Sequence, residues 1–247
     1  MSVSNFKIII EYDGTGYHGW QRQKQDRTIQ QEIERALWSM TARQVTLYGS
    51  GRTDAGVHAL GQVANFLCQT DLSPAVFQKG LNSLLPDDIV IKDCRLVDES
   101  FHARYDVLSK IYHYRILNRQ LSAAIGRHYA WHVRRKLDTA AMRWAISDII
   151  GTHDFKAFEG AGSPRSHTTR TVMAAELIEG SDGSLLFKIE ADGFLRYMVR
   201  NIVGTLVSVG LGKITPAAFK GILESKDRGN AGATAPAHGL FLMEVKY

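Results

Sequence analysis

Residues 49–66 read GSGRTDAGVHALGQVANF. One carboxylate, Asp54, follows Arg52 by two positions, with Gly49, Gly51, Gly56 and Gly61 around it. Glycine tolerates positive φ and close approach of another backbone, so this density around a single acid marks a tight loop beside which another segment passes. From Val57 the residues alternate: Val57, Ala59, Gly61, Val63 and Asn65 on one side, His58, Leu60, Gln62, Ala64 and Phe66 on the other. That is a strand pattern with small residues on one face. A carboxylate and a guanidinium thus stand on a loop anchored by the strand behind it. Asp and Gly are also ordinary turn residues, and local chemistry alone leaves a capped surface turn as an equal reading.

Working outward, FKIIIEY (6–12) reads as a strand that leaves into DGTGYHGWQRQ, a glycine-rich loop carrying Tyr17 and Trp20. Thr28 with Gln31 forms a capping box, and Ile29, Ile33, Leu37 and Met40 mark the buried stripe of the helix it opens. QVTLY (44–48) is a second strand. Ser73-Pro74 starts a helix that ends near Leu85-Pro86, and IVIKDCRLV (89–97) closes the half. KIYHYRIL (110–117) opens a second half. A helix capped by Asp138 and stopped at Gly151 follows, then strands TVMAAELIE and LLFKIEA around the turn at 181–184. A long apolar helix from Phe194, a shorter one from Thr215-Pro216 and a final strand GLFLMEVKY complete the chain. Each half is strand, helix, strand, strand, helix, strand, the split βαβ order. The expected fold is α+β: two ferredoxin-like halves, 1–105 and 106–247, sharing an extended, mainly antiparallel sheet.

The chain has 247 residues, 30 Lys and Arg against 25 Asp and Glu, and a net charge of +5. That permits a polyanionic partner without requiring one. Cys68 and Cys94 are the two cysteines, in no metal-binding spacing, so neither a disulfide framework nor a structural zinc site is expected, and a cytoplasmic location fits. No apolar run suits a signal peptide or a membrane span. No metal is expected: His128 and His132 are four apart, but their surroundings do not read as a helix and no carboxylate follows at ligand spacing. The HxE and PCxxC pair of zinc deaminases, the phosphate loop, the GxSxG elbow and the dinucleotide fingerprint do not occur.

The charge is uneven. Between His102 and Lys136 stand Arg104, Lys110, Arg115, Arg119, Arg127, Arg134, Arg135 and Lys136 against one acid, Asp106, with Tyr105, Tyr112, Tyr114, Tyr129 and Trp131 interleaved. Residues 161–175 add Arg165 and Arg170 with no acid, and Arg22, Lys24 and Arg27 lie beside Trp20. Cations that follow a phosphate backbone and rings that stack on bases equip an RNA-binding face. In FLRYMVRNIVGTL (194–206), helical spacing stacks Leu195, Val199, Ile202 and Leu206, with Arg196 and Arg200 on the neighbouring face. Arg200 lies where the helix enters the core, so its guanidinium either pairs with a carboxylate or snorkels to water. Tyr112 and Tyr114 share one face of their strand, which packing alone accounts for.

These blocks, taken together, carry a resemblance. RTDAGVHA (52–59), EYDGTGYHGWQ, FHARYDVLSKIYHYRI, HDFKAF, FLRYMVRNIVG and APAHGLFL resemble, in order and across essentially the whole chain, those of the TruA-type tRNA pseudouridine synthases. Val107 and Ile111 depart where small or hydroxyl residues are common, which bears on local packing. The resemblance implies the pseudouridine synthase fold and the isomerisation of uridine to pseudouridine at positions 38–40 of the tRNA anticodon stem-loop. It implies Asp54 as catalytic acid, Arg200 as its ion-pair partner, and Tyr112 stacking on the target uracil and handling the C5 proton. Arg52 would hold the flipped nucleotide open. It also implies a homodimer that uses no cofactor. The rival from another class is a non-catalytic RNA-binding protein on the same halves, against which no aromatic RNP1-like block is found. A related enzyme of the same chemistry acting on another RNA is the third reading.

Overall fold

The computed structural model describes residues 3–160, 162 and 167–247. It divides into two compact units, residues up to Leu108 with Phe241–Tyr247, and Ser109–Leu240.

In the first unit β1 (Val3–Tyr12) runs antiparallel to β3 (His58–Gln69) and to β4 (Ile89–Val97), and the two-residue β2 (Tyr48–Gly49) lies on β3. The order β4-β1-β3-β2 is that of a ferredoxin-like half, with helices α1 (Ile29–Thr41) and α2 (Pro74–Leu84). In β1 the side chains alternate: Phe6, Ile8, Ile10 and Tyr12 are buried. Phe6 faces Phe66 in register and stacks on it at 5.2 Å, and Phe77 of α2 meets both rings. β3 departs from the half-exposed strand its alternation implies. It is an inner strand covered on both faces: His58, Gln62 and Ala64 are buried as well as Ala59, Gly61 and Val63.

Two local expectations are corrected. QVTLY contributes only Tyr48 to a strand, because side chains of α1 take up the Leu47 backbone: its N–H donates to Glu34 Oε1 (3.1 Å) and its carbonyl accepts from Gln30 Nε2 (3.1 Å). Thr28 is the N-cap of α1 but makes no capping bond, and its hydroxyl is buried without a hydrogen-bond partner. The first free N–H groups of α1 go instead to backbone: Ile29 N–H to Gly19 O and Gln30 N–H to Trp20 O. The Ser73-Pro74 start of α2 is as expected, with Ser73 Oγ accepting from Val76 N–H.

The second unit comprises β5 (Ser109–Leu117), β6 (Trp131–His132), α3 (Thr139–Ser147), β7 (Gly151–Asp154), β8 (Thr169–Glu179), β9 (Ser184–Ala191), α4 (Met198–Gly210) and α5 (Pro216–Ser225). Its sheet runs β5-β9-β8-β7 in antiparallel pairs, with β6 parallel on β5. Neither β6 nor β7 is foreshadowed by a run of alternating residues. Asp138 caps α3 as expected (Ala141 N–H to Oδ1, 2.9 Å), but the helix ends at Ser147, and Gly151, at φ +102°, opens β7 rather than stopping a helix. α4 buries 11 of its 13 residues, which is why it is mostly apolar, with Arg200 and Ser208 the two that are not buried. The last strand, β10 (Leu240–Lys246), returns to the first unit and pairs in parallel with β3 at Phe241 and Leu242. The chain is thus α+β with mainly antiparallel pairing.

Candidate active site

Asp54 lies half-buried in the loop between β2 and β3, and that loop is held at most of its positions. Ser50 N–H donates to Val63 O (2.8 Å), Trp20 N–H to Thr53 O (3.1 Å), Gly56 N–H to Tyr17 O (3.3 Å) and Val57 N–H to Asp54 O (3.1 Å). The expected close approach occurs at Gly49, where a Cβ would stand 2.6 Å from the Trp20 ring, and at Gly61, where one would lie 2.3 Å from Met243 O. The facing loop is as tight: a Cβ on Gly19 would stand 2.6 Å from Thr53 O, and one on Gly14 would sit 2.0 Å from Val57 O. Gly19 and Gly56 also have positive φ, +90° and +77°. The DGTGYHGW loop and the Asp54 loop are therefore fitted backbone to backbone, and no side chain can be added between them.

Beneath the loop is a buried polar set. The Tyr12 hydroxyl and Thr53 Oγ1 are 2.7 Å apart, Ser50 Oγ donates to Gln62 Oε1 (2.6 Å), and Gln62 Nε2 donates to Gly51 O (3.0 Å). Burial, the main effect, pushes the Tyr12 phenol well above its usual range, so it stays protonated at working pH. Sequence reading missed these residues. The one available signal was Gln62, a polar side chain on a strand between Gly61 and Val63.

Arg52 is exposed and its Nε donates to Gln21 Oε1 (3.0 Å). Gln21 Nε2 donates to Gln30 Oε1, and Gln30 to Glu34, so the guanidinium is oriented by a relay anchored in α1.

In the second unit Tyr112 is 8% exposed on β5, opposite Ile189, with its ring edge-to-face on Phe194 at 4.9 Å. Tyr114 is fully buried and donates to Pro236 O (2.7 Å), which makes it a core residue. Arg200 is half-buried on α4, and its Nε donates to Ala235 O (2.8 Å). The shared helical face for Arg196 and Arg200 is corrected. α4 begins only at Met198, because Tyr197 adopts the left-handed region (φ 61°). Its ring packs over Gly160, where a Cβ would come within 2.4 Å of it, and Gly160 N–H binds Arg196 O (2.8 Å). The two guanidiniums instead lie about the Tyr197 ring, at 4.7 and 4.9 Å from its centre.

Of the acid-poor stretch, Arg115, Arg119, Arg127, Arg134, Arg135 and Lys136 are exposed. Arg115, Arg119, Arg127 and His132 line a cavity of 470 Å³ in the second unit whose acid is Asp182. Arg119 and Arg127 are each fixed by a backbone carbonyl of the intervening loop, Leu121 O and Ala124 O. Arg165 lies outside the described residues. Cys68 and Cys94 are buried free thiols, and burial pushes Cys94 up to about 12. Among the described residues no cluster of His, Cys, Asp and Glu could hold a metal ion, and no helix is long and apolar enough to cross a membrane.

The family model described as tRNA pseudouridine synthase matches residues 8–106 and 145–247. Tyr12, Thr53, Asp54 and Gln62 fall in the first matched stretch, Arg200 in the second. The chain is 51% identical over 245 residues to tRNA pseudouridine synthase A of Acetivibrio thermocellus, covering 99% of this chain and 100% of that one. It is 48% and 45% identical to the proteins of the same name from Thermoanaerobacter sp. and Clostridium acetobutylicum, at the same coverage. Among solved structures, the archaeal box H/ACA sRNP Nop10-Cbf5 complex matches with a TM-score of 0.37 and 13% identity, over 82% of this chain and 44% of that chain.

Proposed function

Since the chain belongs to the tRNA pseudouridine synthase family, we propose that it isomerises uridine to pseudouridine at positions 38, 39 and 40 of the tRNA anticodon stem-loop, with Asp54 as its essential carboxylate. The observation that carries this reading is the Asp54 loop itself: one acid on a backbone hydrogen-bonded at six of its eight positions from Ser50 to Val57. A surface turn has no need of such rigidity, whereas a group that must meet a reacting atom does.

The reaction breaks the C1′–N1 glycosidic bond, turns the uracil, and forms C1′–C5. The C5 proton leaves and N1 gains one, so the change needs neither redox chemistry nor hydrolysis, and no cofactor is expected. An ionised carboxylate serves as nucleophile at C1′ or as base toward the sugar, and both routes begin from Asp54. Arg200 is proposed as its ion-pair partner. The uridine must leave the stack to react. Arg52, oriented by Gln21, would hold the opened position, and Tyr112 would stack on the extruded base and take up its C5 proton. A homodimer is proposed on resemblance and a cytoplasmic location on the cysteine usage; light scattering that shows a monomer would remove the dimer without touching the chemistry. The site specificity is tested with tRNA transcripts that carry a single uridine at 38, 39, 40 or elsewhere in the arm. Pseudouridine is expected at those three positions and not at the others.

The exposed cluster Arg134, Arg135 and Lys136 gives a test of the RNA face. Replacing all three by Gln should weaken tRNA binding and flatten its salt dependence, by roughly 0.7–0.9 in log–log slope for each phosphate no longer neutralised. Affinity and slope equal to those of the wild type would place the cluster outside the footprint.

A further inference from the structure

We propose that Tyr12, Thr53 and Gln62 are positioning residues for the reaction: a buried hydrogen-bonded scaffold that fixes the aim of the Asp54 carboxylate. This rests on the reading of Asp54 as catalytic.

Gln62 is fully buried on a strand whose neighbours are Gly61, Val63, Ala64 and Phe66. An aliphatic side chain would pack there without the cost of burying an amide, which is about 1–3 kcal/mol when its bonds are not made. Gln62 is engaged at both ends of its amide: the oxygen accepts from Ser50 Oγ (2.6 Å) and Val63 N–H (3.2 Å), and Nε2 donates to Gly51 O (3.0 Å). Tyr12, 3% exposed, bonds Thr53 Oγ1 at 2.7 Å, and Thr53 adjoins Asp54. Two buried bonded groups therefore grip the loop, Gln62 at Ser50 and Gly51 where it starts and Tyr12 at Thr53 beside the acid. Gly19 and Trp20 close on the other side of Thr53 and Asp54. Directional bonds, unlike apolar packing, set where the loop points, and a carboxylate displaced by about 1 Å can lose 10²-fold in rate.

The test compares the purified full-length protein with its Tyr12→Phe, Thr53→Val and Thr53→Ser variants in steady-state turnover of unmodified tRNA. Tyr12→Phe and Thr53→Val each delete one side of the same bond at nearly constant shape. Each should lower kcat about 10-fold or more with KM for tRNA unchanged. The double variant should be no slower than the worse single one, because both act through one bond. Thr53→Ser, which keeps the hydroxyl, should restore kcat. Full kcat in Tyr12→Phe, a loss confined to KM, or losses that multiply in the double variant would each overturn the proposal. If Thr53→Val fails to fold, Tyr12→Phe read beside Thr53→Ser carries the test: kcat about 10-fold lower at unchanged KM in the first and wild-type kcat in the second are expected, and full kcat in Tyr12→Phe overturns the proposal. An active Asp54→Asn enzyme would instead sink the underlying reading, whereas inactive Asp54→Asn beside fully active Tyr12→Phe would sink this inference alone.

Discussion

Asn at position 54 is expected to give a protein that folds, binds tRNA as the wild type does and forms no detectable pseudouridine. The substitution keeps volume and hydrogen bonding but removes charge and basicity. The turn is closed by backbone: Val57 N–H donates to the Asp54 carbonyl, and the positive φ beside it falls on Gly56. Stability should therefore stay within about 1 kcal/mol of wild type, since Asn serves turns about as well as Asp. Turnover should fall by ~10⁴-fold or more, the scale seen when an essential member of a catalytic set is removed. Mass-spectrometric mapping of tRNA incubated with a preparation free of host synthase is the measurement. The proposed partnership with Arg200 adds a coupling test. The Asp54→Asn, Arg200→Met double variant should be less destabilised than the sum of its single variants, and strict additivity would separate the two residues.

Tyr112 carries the second large effect. Stacking needs its ring and proton handling needs its hydroxyl, so two substitutions separate the roles. Tyr112→Leu should abolish turnover, because it removes both the ring and its edge-to-face packing on Phe194. Tyr112→Phe keeps that packing and should keep tRNA affinity. If the hydroxyl moves the C5 proton, the variant stalls after glycosidic cleavage, and quenched-reaction analysis should find substrate that is neither uridine nor pseudouridine. A Phe variant of full turnover would reduce Tyr112 to a stacking platform.

Strands with strict alternation, such as β1, and helices with a side-chain cap, such as α2 and α3, are legible in the sequence because burial and capping act within a few residues. QVTLY is not, since what decides its backbone is the reach of Gln30 and Glu34 from α1, 17 and 13 residues before Leu47. Thr28 misleads for the same reason, because carbonyls of Gly19 and Trp20 do the capping. The late start of α4 depends on Gly160 receiving the Tyr197 ring, a pairing that no helical periodicity reveals. At the site, Asp54 stands out as the lone acid among glycines. Tyr12 does not, because it reads as an aromatic of a core strand, and Gln62 is marked only by being an amide between Gly61 and Val63.

The central claim, that this chain converts tRNA uridine to pseudouridine through Asp54, is tested most directly by tritium release. Unmodified tRNA labelled at uracil C5 is incubated with the purified protein and with Asp54→Asn, in chelator and without added cofactor. Tritium should enter water in the wild-type reaction, with pseudouridine appearing in equal amount at positions 38–40, and none should be released by the variant. No release by the wild type, or equal release by both proteins, would contradict it.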